Sequence, residues 1–418
     1  MKSLLFLEQV AWIPKSWLRE KKGKNMRKKI LTLGLVLAIL LGQAPSNLSM
    51  ARQGRLENQD QKARMAAILE ETEETFLRGR AHYTNEDILT LVQRGFARPC
   101  LKDKAYDDTK YSLTLNVTFA RNVLTALALG EDPNQLFGKE NLHILEKEGL
   151  KGAYTEGQIF TVARALILAG KKDQVHPRLL KKKIKSLDKM TEEKCLGLLT
   201  LALYNPQDPD LETYKKEIIE NMKESGVLGN LDTTARAIQA LYAMKEDPYQ
   251  MKNPQGKSLV DGLEILYRGG GYFASREDLP WGQEKSSPYY ALGDLVAGSS
   301  AYLDLLEKQD HRKMQTSERA GRTPAKVILS FPKSQEKIPL KPGERQKISA
   351  KIYNKQGERL ALEKVTYTSS NPKVLTYLYL DTFQAWPVKE NTWVTVNAKS
   401  EKNPKILGSL RVCVVGEK

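Results

Sequence analysis

Cysteine is scarce in this chain: three in 418 residues, Cys100, Cys195 and Cys413. Three thiols this widely spread do not form a disulfide framework, so the fold must rest on a hydrophobic core. Cys413 falls in a different region from the other two. Cys100 with Cys195 is one conceivable pair; small apolar side chains are the other reading. The four histidines, His82, His143, His176 and His311, are isolated, and none is near a cysteine in sequence. That spacing offers no zinc-ligand set, and neither a metal nor a cofactor is expected. The apolar run from Ile30 to Leu41 has 12 residues, too few to span a bilayer comfortably. Gly-x-Ser-x-Gly and P-loop motifs are absent, which removes two common hydrolase and nucleotide signatures. No basic cluster is interleaved with aromatics, so nucleic acid is not an expected partner.

What the first 51 residues do contain is a leader pattern. Met26-Arg27-Lys28-Lys29 is a basic start, Ile30 to Leu41 an apolar stretch, and Ser49-Met50-Ala51 a small-residue cleavage site. Together they read as a secretory signal peptide cut after Ala51, with translation starting at Met1 or Met26. A cut after Ala44 would put Pro45 next, and an uncleaved anchor is the alternative to cleavage. No cysteine follows the run, so a lipoprotein signal is not indicated. After cleavage no transmembrane span is expected, and the location is extracellular: secreted or on a bacterial cell surface. Residues 1–51 hold nine basic and two acidic side chains, leaving about +9 of the chain's +16 for the mature protein. Most of those lysines lie on solvated helix faces. The excess could also favour a polyanion, and the partner classes are a cell-wall polyanion, a glycan or an extracellular protein.

The stretch Gly226 to Met244 organises the rest. A glycine turn comes first, then Asn230, Asp232 and Thr233, any of which could cap a helix. The helix that follows is apolar on two sides, with Ala235, Ile238 and Tyr242 on one and Ala237, Leu241 and Met244 on another. A helix without a polar half is enclosed by others. The pattern recurs. Gly149-Leu150-Lys151-Gly152-Ala153-Tyr154 precedes Thr161 to Leu166, and Ala120 to Leu127 is a further copy. Gly269-Gly270-Gly271-Tyr272-Phe273 precedes one around Asp294, and Leu196 to Leu203 is another without the turn. Ala-Arg pairs at 120, 163 and 235 mark the spacing, and a repeat of this length means stacked helix pairs. Between the buried copies lie amphipathic segments, with Leu180, Ile184 and Leu187 in one and Ile218, Ile219 and Met222 in another.

The glycine-and-aromatic turn followed by a Thr-Ala-x-Ala-x-x-Ala-Leu helix resembles the repeat of prenyltransferases, squalene and terpene cyclases and their non-catalytic relatives. The resemblance covers about residues 60–307 and implies an α/α toroid of about six helix hairpins over 52–307. Residues 308–324 are polar and aperiodic, a linker. From 325 to 418 the period becomes two: Ile348, Ala350 and Ile352, then Val394, Val396 and Ala398, then Leu410, Val412 and Val414. Turns fall at Pro342-Gly343-Glu344 and Gln356-Gly357-Glu358. About seven short strands suggest an all-β sandwich. Leu340-Lys341-Pro342-Gly343 with Val365 to Val374, including Ser369-Ser370-Asn371-Pro372, resembles the bacterial immunoglobulin-like domain of group 2. The expected whole is multidomain, a toroid followed by an Ig-like sandwich.

Catalytic members of the toroid family carry acidic motifs. Asn230-Leu231-Asp232-Thr233 keeps one carboxylate of the Asp-x-Asp-Asp proton donor, and Asp107-Asp108 keeps two of the Asp-Asp-x-x-Asp diphosphate site. A lone carboxylate in a helix start is a poor strong acid, so Asp232 reads as a cap and Asp107-Asp108 as a solvated turn. The thioester sequence Gly-Cys-Gly-Glu-Gln is absent. No catalytic residue is assigned. The glycine turns should gather at one end of the ring and bring Tyr154, Asp232, Tyr272, Trp281, Tyr289 and Asp294 to its mouth, with Phe273, Tyr290, Glu277 and Asp278 nearby. Aromatics with a few acids at a concave end suit a sugar or an extended peptide; plugging the ring as core is the alternative. The leading function is a non-catalytic surface or secreted binding protein. A glycan-active or degenerate cyclase-like enzyme is second, and a cobalamin-type small-molecule carrier third. Paired carboxylates in the ring would favour the enzyme, and a deep aromatic cavity the carrier.

Overall fold

The computed structural model describes residues 61–416, apart from 78, 111–115, 152, 154, 280–287, 308–321, 332–338, 362 and 380. The leader pattern at 1–51 and most of the polar stretch 308–324 lie outside the described residues. The class is mixed. Helices, with one small hairpin, run up to Glu307, and antiparallel strands follow from Lys326.

Five of the helices start where a short oxygen-bearing side chain takes up a free amide. Helix α1 (61–72) continues into a π-helical turn, Glu73–Leu77. Thr84 and Asp87 form the capping box of α2 (Asn85–Gln93). The short α3 (Arg98–Lys102) carries Pro99 in its first turn, where a missing amide costs little. Then come α4 (Asn116–Leu129) and α5 (Asn141–Glu148). Thr155 and Gln158 box the start of α6 (Glu156–Leu168). The amphipathic α7 (Pro177–Lys185) buries Leu180 and Ile184, while Leu187 falls just past its end. Thr191 caps α8 (Glu192–Tyr204), and α9 (Asp210–Asn221) follows Pro209. In α10 (Leu231–Ala243) the cap is Asn230, whose side chain accepts from the Thr233 amide at 2.8 Å. Asp232, also expected as a cap, instead sits inside the first turn. Ser258 and Asp261 box α11 (Leu259–Leu266), which runs into the hairpin β1 (Tyr267–Gly269) and β2 (Tyr272–Phe273). Last are α12 (Tyr289–Ala297) and α13 (Ala301–Glu307).

Helices α2, α4, α6, α8, α10 and α12 bury most of their surface. They pack in cyclic order, each against the next, and α12 returns to α2. The remaining helices flank them. Helices apolar on several sides have nowhere else to go. Two glycines permit the closest approaches. A Cβ on Gly197 in α8 would lie 2.7 Å from the Phe160 ring and 2.8 Å from Ile184. Gly226 has φ 93°, and a Cβ there would fall 2.2 Å from the Ser258 carbonyl, where α11 begins. Helix α1 packs beside α11 and the β1–β2 hairpin. Arg64 pairs with Glu264 at 2.8 Å, and Glu71 accepts from the Gly270 amide at 3.1 Å and from the Tyr267 hydroxyl.

The strands are β3 (Lys326–Ser330), β4 (Arg345–Lys347), β5 (Ser349–Tyr353), β6 (Val365–Ser369), β7 (Leu375–Tyr379), β8 (Thr382–Ala385), β9 (Thr392–Ser400) and β10 (Leu407–Val414). They pair in the orders β10-β9-β6, β4-β8-β7 and β3-β5, all antiparallel. Of the period-two residues, Ile348, Ala350, Ile352, Val394, Val396, Ala398, Val412 and Val414 are buried and Leu410 is partly buried against them. The turns at Gly343 and Gly357 have φ of 81° and 79°, a conformation glycine adopts without strain.

The two regions meet through charge. Glu73 is almost fully enclosed between Arg94, at 2.8 Å, and Arg359, at 2.5 Å. Glu70 pairs with Lys351, and Glu74 with Lys347 and Ser349. The Ala97 amide donates to the Arg359 carbonyl at 2.9 Å, and the Arg359 amide to the Gly95 carbonyl at 2.8 Å. Burial alone would raise the pKa of Glu73, but the two arginines outweigh it and hold the carboxyl below its usual value.

Candidate functional site

The amino-terminal turns of α2, α4, α6 and α8 border one cavity of about 780 Å³. Such turns present free amides and the positive ends of helix dipoles. The wall mixes polar and apolar surface: Thr84, Asn85, Thr118, Thr155, Gln158 and Thr161 supply hydroxyls and amides, and Tyr106, Val117 and Leu196 are its larger non-polar members. The charged side chains are Arg121, Arg164 and Arg236 with Glu86, Asp108, Glu192 and Glu193. These three arginines are those of the repeated Ala-Arg pairs. One position of the repeat therefore delivers its guanidinium to the same space from three different helices.

The cluster is tightest on the floor. Glu86 Oε1 is 3.1 Å from Arg236 Nη1 and 3.2 Å from Arg164 Nη1. Only the Arg236 contact is aligned as a hydrogen bond. Arg236 also donates to Gln239 at 2.6 Å. Each guanidinium lies over a tyrosine ring, Arg164 over Tyr302 at 4.5 Å and Arg236 over Tyr290 at 4.6 Å. Burial pushes the Glu86 carboxyl up, but Arg236, Arg164 and the nearby Tyr302 hydroxyl overcome it and hold the pKa down to about 2. Glu86 is therefore an anion at all ordinary pH. At the rim, Glu192 sits 3.6 Å from Arg236 Nη2 and is half exposed. Partial burial raises its pKa, with Arg236 opposing and Asp232 adding to the rise. Asp108 is also raised by burial, less the pull of Arg121 at 3.4 Å.

The residues expected at the mouth are dispersed. Tyr154 and Trp281 lie outside the described residues. Tyr290 supports Arg236, and Asp232 stands near Glu192. Tyr272 is exposed on the β1–β2 hairpin, and Phe273 beside it is fully buried. Glu277 pairs with Lys223 at 3.0 Å and Asp278 with Arg276 at 3.4 Å. Tyr289 is buried, with its hydroxyl 3.2 Å from Glu73. Asp294 is fully buried and accepts from the Ala301 amide at 2.7 Å, joining α12 to α13. Asp107 is fastened by Thr109 and Asn122 rather than free in solvent.

Among the described residues, no group of three His, Cys, Asp or Glu side chains is placed to hold a metal ion, and no helix is long and apolar enough to cross a membrane. The cysteines are free thiols, with Cys195 buried beside Met190. No protein-family model matches the chain, and no curated protein is significantly similar to it.

Proposed function

We propose that this is a secreted or cell-surface binding protein: an α/α toroid that holds a hydrophilic ligand, carried on an Ig-like sandwich. The observation that carries the reading is the cavity, wide enough for a small ligand, with hydroxyl, amide and charged side chains set among apolar surface. Hydroxyl-rich molecules match such a wall, so the ligand class is a glycan. An isoprenoid or a large flat cofactor would meet buried ions and lose their hydration without return, which weighs against a cyclase or a cobalamin-type carrier. The leader pattern at 1–51 supports export, and the cyclic packing of six buried helices supports the toroid.

The test is a thermal-shift screen of the purified full chain against a panel of soluble plant, animal and bacterial-wall oligosaccharides. A Gly157→Trp variant serves as control. Gly157 lines the cavity, and a Cβ there meets Glu193 Cγ only at 3.4 Å, so a large side chain can enter the space. Stabilisation by a glycan that Gly157→Trp abolishes is the expected result. No shift with any member, or a shift that survives plugging, would overturn the reading.

A second reading has one observation behind it. Glu86 and Glu192 contact the same guanidinium yet are pushed toward opposite ionisation states. Carboxyls whose surroundings push their pKa values apart are the pattern of an acid and base pair. Release of reducing ends from a bound oligosaccharide, abolished by Glu192→Gln, would favour it over simple binding.

A further inference from the structure

The positive charge of the chain is not evenly shared. Residues 52–324 hold 40 basic and 40 acidic side chains, whereas residues 325–418 hold 17 and 8. The excess that remains after the leader pattern therefore lies in the strand region. Lys347, Lys351 and Arg359 are matched across the junction by Glu74, Glu70 and Glu73, which leaves 14 basic side chains there against the same 8 acids. Part of that excess sits on one flat surface. In the sheet β10-β9-β6, Val394, Val396 and Ala398 point into the core, so the alternate residues of β9 point out. The register sets the outward rows. Thr368, Asn397 and Ser409 form one, and Thr366, Lys399 and Leu407 a second. Thr395 and Arg411 form a third, extended by Ser370, whose amide donates to the Thr395 carbonyl at 2.8 Å. Ser409 donates to Asn397 Oδ1 at 2.6 Å, which leaves the Asn397 amide nitrogen as a donor. Trp393 closes one end. Its ring is 56% exposed, with the Arg411 guanidinium 4.9 Å from the centre.

No acid occupies an outward position of these three strands, and neither Lys399 nor Arg411 makes an ion pair among the described residues. The acids beyond the strand ends are offset: Glu363 pairs with Lys402, Glu390 adjoins Lys389, and the Glu401 amide bonds to the Lys364 carbonyl. The charge of Lys399 and Arg411 is thus unmatched. An exposed indole can stack on the C–H face of a sugar ring, hydroxyl and amide rows exchange hydrogen bonds with sugar hydroxyls, and unpaired cations call for anionic groups. From Trp393 to Lys399 the strand runs about 20 Å, longer than one sugar unit. A lipid surface would engage the cations and the indole and leave the central hydroxyl row without partners, and a single nucleic-acid strand calls for more than one aromatic platform. We propose that this face binds an acidic polysaccharide, with Trp393 stacked on a sugar ring and Lys399 and Arg411 holding its anionic groups. The face shares no residue with the cavity and does not rest on what the cavity holds.

The experiment measures binding of the purified full chain to immobilised polygalacturonate, hyaluronate and dextran sulfate by biolayer interferometry. Fully methyl-esterified polygalacturonate, which keeps the sugars and loses the charge, and polyglutamate, which keeps the charge and lacks the sugars, are the controls. At least one acidic polysaccharide should bind about tenfold or more tightly than both controls, the effect of one charge-assisted contact or one stacked ring. Trp393→Ala should weaken that binding about tenfold, and so should Lys399→Gln combined with Arg411→Gln. All three side chains are exposed, so the melting temperature should not move; the two controls need no substitution and stand even if a variant does not fold. Polyglutamate bound as tightly as the polysaccharides would reduce the face to a general polycation and overturn the proposal. The ester bound as tightly as the acids would overturn it by removing the role of charge. Binding that survives Trp393→Ala but is lost in Gly157→Trp would move the acidic glycan into the cavity and overturn the sheet face alone. No binding to any of the three acidic polysaccharides would overturn it outright.

Discussion

Replacing Asp294 with asparagine should make the protein more stable at neutral pH and remove part of its pH dependence. Asp294 is fully buried in α12, and burial raises its pKa from 3.8 to about 8 despite bonds from the Ala301 amide and the Gln239 and Gln93 side chains. Its Oδ2 and the neighbouring Gln93 Oε1 are both buried acceptors without a donor. A proton on Oδ2 supplies one, so the folded protein keeps Asp294 neutral at pH 7. The unfolded chain releases that proton above about pH 3.9. Because the folded pKa is raised, the contribution to stability is fully present below the unfolded value. It is lost as pH rises, and the loss is complete once pH passes the folded value. The slope is about 1.4 kcal/mol per pH unit, and about 4 kcal/mol accumulates between about pH 4 and 7. An asparagine in its place carries no such linkage. The amide oxygen can still accept from Ala301, and the amide nitrogen can donate where the proton sat. Urea unfolding of both proteins from about pH 5 to 9 should show the difference growing by about 1.4 kcal/mol per unit and levelling above about pH 8. Parallel curves, or an asparagine variant less stable at every pH, would refute the argument.

Glu73→Gln leaves Arg94 and Arg359 buried without their anion and should cost about 3–5 kcal/mol in chemical unfolding. In the wild type this contribution fades as acid titrates Glu73 through its lowered pKa. With a protease site inserted in 308–321, the two fragments should co-elute on gel filtration after cleavage and separate when Arg359→Ala is added; co-elution of both would show the ion pairs to be dispensable. Gly226→Ala combines an unfavourable positive φ with a 2.2 Å clash against backbone and should lower stability by about 2 kcal/mol or more, whereas an unchanged melting temperature would mean that the turn relaxes freely. Asn230→Ala should cost about 0.5–2 kcal/mol and Asp232→Ala less, read from the same denaturation curves. Burial raises the Cys195 thiol to about 12, so this cysteine should resist a thiol reagent at about pH 8 until the chain is unfolded; rapid native labelling mapped to Cys195 would contradict its placement.

The alternation of enclosed and amphipathic helices was legible because it is a matter of periodicity. Ala235, Ile238 and Leu241 cannot face water together, and they do not. The strand pattern of Val394, Val396 and Ala398 was legible for the same reason. The cavity was not. Aromatics beside glycine turns looked like a binding surface, but Tyr289 and Phe273 gain more from the core than from a mouth, and Asp294 was drawn in to join two helices. The residues that do meet, Arg121, Arg164 and Arg236, stood in plain view as the markers of the repeat. A charged residue recurring on an otherwise apolar helix must find an opposite charge or an opening, and that signal could have pointed to Glu86 before any coordinates.

Helix α1 has a consequence for how the chain reaches its native state. Its partners in the ring, Glu264, Tyr267 and Gly270, are some two hundred residues away, and those of its acidic end, Lys347, Lys351 and Arg359, are farther still. Contacts over such separations are slow to form because the intervening chain must first be ordered. During synthesis the first of the described helices to emerge is therefore among the last to dock. A chain truncated before Arg345 would lack the lysines that meet Glu70 and Glu74 and would leave Glu73 to Arg94 without Arg359, and that acidic edge would mark an unfinished molecule.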